Sequence, residues 1–386
     1  MKDNFKRIAC IVALSALSIV PTTAKDKYVA YLFTYFTGNA PEKEQICYAL
    51  SSDGWNYTPL NQGHPVIASD TIARTKCVRD PHILRGEDGW FYQVVTDMRS
   101  SLGWSSNRGM VLMRSRDLLK WEHHAIHFPE RYKGTMFEHV TRVWAPQTIY
   151  DKAAGKYMVY FSILTDDGNC PYDKVFYAYA NADFSDFEGE PKVLFDVNNA
   201  SIDTDIVRDD DGLYHVFFKT EGQRQKGIKQ FITPDLHDLS KWELQPGFCQ
   251  DTNKAVEGSG VFRLFDGTWV LMYDCYTSYH YQFCKSSDLK TFKQVQDTQT
   301  SGMFTPRHGT VIAITKKEKD LLTAWDALVQ ATGDMRRLPT PTLSIEQVDE
   351  RKALLAKSQK VLKGSACAKA YKKQTKKVNK FLKKLN

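Results

Sequence analysis

The chain has 386 residues, 42% of them hydrophobic and 12% aromatic, which is enough apolar side chain for a sizeable packed core and too much for a disordered polymer. Its formal charge of +7 is unevenly placed: residues 351–386 hold 13 Lys or Arg and no acid, the first 24 residues add +2, and residues 25–350 are left with −8. An acidic body, with no basic stripe among interleaved aromatics, excludes nucleic-acid binding argued from overall charge.

The N-terminus reads "MKDNFKRIACIVALSALSIVPTTAKDKYVA": Lys2, Lys6 and Arg7, an apolar stretch from Ile8 to Val20, then a small-residue exit ending at Ala24. That is the layout of a secretory signal peptide, and the apolar stretch is too short to span a membrane as a mature helix. Residues 1–24 are therefore expected to be removed, leaving a secreted or periplasmic protein with no transmembrane segment. Cys10 lies inside the apolar stretch, which argues against a lipoprotein. Seven cysteines follow it, widely spaced and with no C-x-x-C pair, a pattern of buried thiols rather than of a disulfide framework or zinc site. Cys275 and Cys284 flank a hairpin and are the pair that could join.

Between residues 27 and 315 helical periodicity is nearly absent and two phrases recur. The first is Ser or a similar residue, Asp, a short turn and an aromatic: "SSDGWNY" at 51, "SRDLLKW" at 115, "ADFSDFEG" at 182, "TPDLHDLSKW" at 233 and "SSDLKTF" at 286. In the second, a turn ending in Gly launches an alternating aromatic and β-branched run: "RGEDGWFYQVV" at 85, "YDKAAGKYMVYFS" at 150, "RDDDGLYHVFF" at 208 and "RLFDGTWVLMY" at 263. The ends of the array complement one another. "TPRHGTVIAIT" at 305 reads as an innermost strand with nothing after it, and "KYVAYLFTYF" at 27 as a second strand with nothing before it. Joined, they complete a fifth unit and close a ring without a sheet edge.

Inner strands then begin at Asp80, Trp144, Asp203, Glu257 and His308, at intervals of 64, 59, 54 and 51 residues. Units of that size with about four strands each predict an all-β, five-bladed β-propeller over residues 25–345. Residues 346–386 are expected to form a basic helical tail, with Leu354, Val361, Val378, Phe381 and Leu385 at helical intervals among lysines. The tail reads as packed or solvated, or as attached to an acidic polysaccharide or a membrane surface.

Innermost strands of a propeller converge on the central channel, so residues opening them meet across it. Three of the five open on a carboxylate: Asp80 in "RDPHI", Asp203 in "SIDTDIV" and Glu257 in "VEGSGVF". Two carboxylates across a pocket suit hydrolysis of a glycosidic bond, one protonating the departing oxygen while the other activates water or attacks the anomeric carbon. A third negative group nearby makes ionisation of the acid harder. Each also has a structural reading: Asp80 before Pro81 as a loop former, Asp203 as part of an acidic cluster, Glu257 before Gly258 as a turn residue. Glu87 and Asp88 belong to the Gly-ended turn shared by other blades.

The pieces "RDPHILRGEDGWFYQVVTD", "WAPQTIYD", "SIDTDIVRDDDGLYHVFF", "EGSGVFRLFDGTWVLMY" and "TPRHGTVI" resemble, in order and spacing, glycoside hydrolase family 43 over about residues 27–320. The resemblance implies an inverting glycosidase with Asp80 as general base, Asp203 as modulator and Glu257 as general acid. It implies His308 as a central-channel histidine beside a calcium or sodium ion or its water, with no other cofactor; a satisfied core histidine is the alternative reading. Trp144 and the loop residue Trp104 are candidate substrate-binding side chains, and Arg307 binds a sugar hydroxyl or pairs with a carboxylate. Gln147 stands where the family commonly has an acid after "WAP", and "EGSG" replaces "EGP". The opening "YLFTYFTGN" resembles a bacterial subset in which α-L-arabinofuranosidases occur. The expected substrate is an oligosaccharide or polysaccharide, from whose side chains terminal α-L-arabinofuranose is removed. β-D-Xylose or β-D-galactose release by the same fold, or a non-catalytic sugar-binding propeller, are the alternatives. A retaining fructosidase also carries "RDP", but no "NDPNG"-like segment precedes residue 78.

Overall fold

The computed structural model describes residues 27–222, 225–299 and 303–385; the expected signal peptide lies outside them. Five four-stranded antiparallel sheets make the five blades. Blade 1 comprises Val78–Arg85, Phe91–Asp97, Gly109–Ser115 and Trp121–His127, and blade 2 Val140–Asp151, Lys156–Thr165, Lys174–Tyr179 and Lys192–Phe195. Blade 3 comprises Ser201–Arg208, Tyr214–Gly222, Gln225–Thr233 and Glu243–Leu244, and blade 4 Glu257–Arg263, Trp269–Cys275, His280–Ser286 and Lys293–Gln299. In blade 5 the innermost strand Arg307–Thr315 pairs with Tyr28–Phe36, followed by Cys47–Ser51 and Thr58–Pro59. Each inner strand contacts those of the two neighbouring blades, blade 5 against blade 1 included, so the five form a ring.

Local chemistry explains the repeated phrases. The Gly-ended turns join the first two strands of blades 1 to 4, and Gly89, Gly155, Gly212 and Gly267 all sit at positive φ. The Ser-x-Asp phrase joins the third strand to the fourth. In three blades the Asp N–H donates to the hydroxyl of Ser51, Ser115 or Ser286 at 3.2, 3.1 and 3.2 Å. The Asp carboxylate then accepts from backbone N–H groups two and three residues on, so the turn closes on its own side chains.

Alternating side chains from facing blades fill five apolar layers. Val94, Leu112, Phe161 and Phe176 lie between blades 1 and 2, and Tyr160, Val175 and Phe218 between 2 and 3. Phe217, Leu271 and Tyr273 fill the next gap, Phe33, Met272 and Phe283 the fourth, and Leu32, Val95, Val111 and Ile314 the last. All seven cysteines from Cys47 onward are free, five of them buried, and Cys275 and Cys284 are not joined.

A one-turn helix, α1 (Phe128–Arg131), leads from blade 1 towards blade 2. The last strand ends at Thr315, not near the expected boundary at 345, because "TKKE" is a capping box. Thr315 Oγ1 accepts from Glu318 N at 3.3 Å, and the Glu318 carboxylate accepts from Thr315 N at 2.7 Å. It starts α2 (Lys316–Arg337), whose Leu322 enters the layer between blades 5 and 1. The remaining chain is no loose tail: α3 (Ile345–Lys363) and α4 (Ala368–Lys383) pack on α2 through Leu328, Met335, Tyr371, Val378 and Phe381. Among the described residues no helix is long and apolar enough to cross a membrane.

Phe161 is 1% exposed and meets Phe128 edge-on at 5.4 Å in the layer between blades 1 and 2. Phe161→Ala is expected to cost about 3–5 kcal/mol of unfolding free energy in a urea titration; a loss below about 1 kcal/mol would show that this layer is not close-packed.

Candidate active site

One backbone feature recurs at the head of every inner strand. Its register against the second strand slips between Arg79 and His82, Trp144 and Gln147, Ile202 and Asp205, and Glu257 and Gly260, and in blade 5 between Arg307 and Thr310. Such a bulge inserts a residue and re-aims the side chain it carries. The inserted residue is left-handed in four blades: Asp80 at φ 51°, Ala145 at 46°, Asp203 at 54° and Gly258 at 65°. For a non-glycine residue this costs on the order of 1–3 kcal/mol, tolerated only where surrounding contacts enforce it.

The bulges sort the pocket into tiers. Asp80, Ala145, Asp203, Gly258 and His308 occupy equivalent positions, and Arg79, Trp144, Ile202, Glu257 and Arg307 stand one residue earlier. Glu257 is therefore not in register with the two aspartates, as its place in the repeat had suggested, because Gly258 takes the left-handed position. Glycine is needed there twice over, since a Cβ would lie 2.7 Å from His308 Cβ and Cγ.

Hydrogen bonds between neighbouring blades, 1 with 2, 3 with 4 and 5 with 1, hold the tiers. Thr96 Oγ1 donates to Asp80 Oδ2 at 2.9 Å and accepts from Ala145 N of blade 2 at 2.9 Å. Asp203 Oδ2 accepts from Gly258 N at 2.8 Å, tying blade 3 to the residue after Glu257. Two residues further along, His82 Nδ1 accepts from Thr148 N, Asp205 Oδ2 accepts from Val261 N, and Thr310 Oγ1 donates to Pro81 O. These buried groups form a polar layer beneath the pocket.

A small pocket of about 60 Å³ is lined by Arg79, Asp80, Met98, Trp104, Trp144, Ile202, Asp203, Glu257 and His308. It brings together all three carboxylates singled out in the sequence, with Trp144, Trp104 and His308. Trp104 is 49% exposed and stands edge-on to Trp144 at 6.4 Å. Arg307 is absent from the lining. Its guanidinium lies over Phe36, donates from Nε to Asp274 Oδ2, and meets Glu257 Oε1 at 3.0 Å, so it serves carboxylates instead of opening onto the cavity.

His308 Nδ1 lies 3.5 Å from Asp80 Oδ1 and 3.7 Å from Asp203 Oδ1. Burial opposes its charge, but the two carboxylates outweigh burial and raise it to about 9, so the ring is an imidazolium at neutral pH. Burial also acts on both aspartates, with different results. At Asp80 the hydrogen bond and charge of His308, with Arg79 and Thr96, overcome it and hold the carboxyl below its usual range. At Asp203 burial prevails over His308, aided by Glu257 and Asp80, and the pKa is raised. Glu257 is flanked by cations: Lys219 Nζ stands 3.4 Å from its Oε2, opposite Arg307.

For an ion at His308 the donor chemistry is unsuitable. Its Nδ1 faces two carboxylates as their counter-cation, one Asp205 oxygen is taken by Val261 N, and no group of three or more His, Cys, Asp or Glu among the described residues could hold a metal. Calcium wants six to eight oxygen ligands, so no chemical step is routed through an ion.

Several participants were not foreseen. Glu44 is fully buried, pairs with Arg79 at 3.1 Å and accepts from Ser100 N at 3.0 Å, while Asn39 Oδ1 accepts from the same guanidinium at 2.7 Å. Lys219, 1% exposed, bridges Glu257 and Glu221. Asp274 anchors Arg307; burial first and Glu257 next raise it to about 7 against the pull of Arg307. Asp97 turns out to be structural, accepting from Arg74 N and Thr75 N at 2.8 and 2.9 Å to pin the entry into blade 1.

Because the folded pKa of His308 lies above the unfolded value of 6.5, its charge stabilises the fold fully below pH 6.5 and this contribution is lost as pH rises through about 9. Urea titrations of His308→Gln should show a shallower decline than wild type across that window. Parallel curves would contradict the ion-pair assignment.

A domain family related to glycoside hydrolase family 43 and described as a probable glycosyl hydrolase domain matches residues 26–320. An α-L-arabinofuranosidase of Bifidobacterium longum subsp. longum is 30% identical over 210 residues, which are 47% of this chain and 18% of that enzyme. The chain thus spans less than a fifth of that relative's length. Among solved structures, a thermostable family-43 glycoside hydrolase is 23% identical and superposes with a TM-score of 0.43 over 57% of this chain and 72% of its own. An exo-β-1,3-galactanase from Clostridium thermocellum is 14% identical, with a TM-score of 0.45 over 60% of this chain and 50% of its own. The family match runs through all five blades and takes in every residue lining the pocket. The chain belongs to the family of probable glycosyl hydrolase domains related to glycoside hydrolase family 43, carried here on a five-bladed propeller.

Proposed function

We propose that the chain is an exo-acting, inverting glycosidase that removes terminal α-L-arabinofuranose from polysaccharide side chains. The observation that carries the mechanism is the divergence of Asp80 and Asp203. They hold equivalent bulge positions on either side of one imidazolium, yet Asp80 is held ionised while Asp203 is pushed towards protonation. The two environments suit Asp80 to accept a proton and keep Asp203 from competing with it as a base, which leaves the acid role to Glu257, the third carboxylate lining the pocket. Asp80 is the general base: its carboxylate takes a proton from water as that water attacks the anomeric carbon. Glu257 is the general acid, giving its proton to the departing oxygen. Asp203 tunes and positions it through the bond to Gly258 N, one residue from Glu257. Once the proton has left, Arg307 and Lys219 stabilise the new Glu257 carboxylate.

The narrow pocket over a polar floor suits a single terminal sugar, which supports exo action, with Trp144 as wall and Trp104 at the mouth. The arabinofuranosidase relative supports the arabinofuranosyl choice over the 210 residues it shares with this chain. Residues 1–24 carry the pattern of an export signal, so the place of action is outside the cytoplasm.

Two sets of rates test the reading. Among nitrophenyl glycosides, the α-L-arabinofuranoside should be hydrolysed fastest; faster release from the β-D-xyloside or β-D-galactoside would replace the sugar while leaving the mechanism. Asp80→Asn and Glu257→Gln should each lower turnover by roughly 10²–10⁴-fold with the fold intact, and Asp203→Asn should keep a measurable residual rate. Near-full activity in Asp80→Asn would overturn the base assignment, and sugar binding without hydrolysis by the unaltered protein would favour a binding module.

A further inference from the structure

The C-terminal helices present a surface that hydrolysis does not use. Helix α4 carries seven lysines between Lys369 and Lys383 and no acid, and all seven are exposed. At 100° per residue they fall on the side opposite Tyr371, Gln374, Val378 and Phe381, which are buried against α2 and α3. The nearest acids are engaged elsewhere: Asp320 with Lys316, Asp349 with Lys352 and Glu350 with Lys384, just past the end of α4. Like charges at i,i+3 and i,i+4 destabilise a helix by roughly 0.2–0.5 kcal/mol per pair, and among the described residues Asp320, which also feels Lys372, offsets that cost at one end of the stripe only.

A second feature adjoins it. Where α3 meets α4, a groove of about 650 Å³ has Ala356, Val361 and Ala370 along it and Lys357 and Lys360 at its edge. Apolar carbon flanked by ammonium groups matches a sugar ring that bears a carboxylate. The stripe from Lys369 to Lys383 is about 21 Å long, enough for several residues of a polymer.

We propose that the lysine face of α3 and α4 binds a carboxylate-bearing polysaccharide, of the uronic-acid class, and tethers the glycosidase to it. Charge selects the occupant, since this face is basic whereas residues 25–350 carry −8 and repel the same polymer. A membrane surface suits the face less well. Interfacial helices bury their apolar side in lipid, and the apolar side of α4 is already spent on α2. Nucleic acid suits it less well too, because the aromatic rings of α4, Tyr371 and Phe381, are buried and offer no stacking platform.

The test is binding of the intact protein to de-esterified polygalacturonate, with neutral arabinan, phosphatidylglycerol-containing vesicles and duplex DNA as comparison ligands. A variant combining Lys373→Gln, Lys376→Gln, Lys377→Gln and Lys380→Gln keeps helix propensity and lies outside the pocket. Polygalacturonate should be bound at about 50 mM salt and weakened about tenfold or more, both by raising salt to about 300 mM and by the variant. Hydrolysis of a small aryl glycoside should be unchanged in the variant, which keeps this outcome separate from that of the catalytic reading. Absence of binding, equal binding to neutral arabinan, insensitivity to salt or to the variant, or tighter binding to vesicles or DNA would each overturn the proposal.

Discussion

A bulge at the head of each inner strand, left-handed in four of the five, is the constraint on which the site depends. A regular strand would send neighbouring side chains alternately to its two faces and would leave no reason for Asp80, Asp203 and His308, over fifty residues apart, to share one height. Inserting one residue at the same place in each strand turns that residue towards the axis. The strain of φ near +50° at two aspartates is held by bonds that cross between blades, from Thr96 to Ala145 and from Asp203 to Gly258. The same bonds that keep the backbone in an unfavourable conformation also orient the carboxylates, so stability and geometry cannot be altered separately there.

Electrostatics then distinguish groups that the backbone makes equivalent. His308 supplies one positive charge to two carboxylates, and Asp80 makes the closer approach, with Thr96 and Arg79 adding to it. Asp203 is left with burial and two negative neighbours. Behind Glu257 a second network runs through Arg307 to Asp274 and through Lys219 to Glu221. Desolvation of Lys219 and Asp274, the buried members of this network, offsets much of the Coulomb gain from pairing them.

Much of this could be read from the residues alone. The Ser-x-Asp turns and Gly-ended turns close on themselves through local bonds, so they leave a local signature, and counting them was enough to expect five blades. Asp80, Asp203 and Glu257 were accessible because they open the repeated strands. The one-residue offset of Glu257 was not, since it depends on which of Glu257 and Gly258 adopts positive φ. Glu44, Lys219 and Asp274 were not either: they lie in a loop or on second strands, and their importance comes from partners 33 to 38 residues away. The C-terminal helices were legible from Leu354, Val361, Val378 and Phe381 at helical intervals, but the surface they pack on was not, because α2 lies in the range read as propeller.

The central claim is that water, activated by Asp80, displaces the leaving group in one step while Glu257 protonates it. Proton NMR of the first-formed sugar, recorded before mutarotation equilibrates the anomers, tests this most directly. The account predicts that the product appears with the anomeric configuration opposite to that of the substrate. A first product of retained configuration would require a covalent glycosyl intermediate and would contradict the assignment of Asp80 as base.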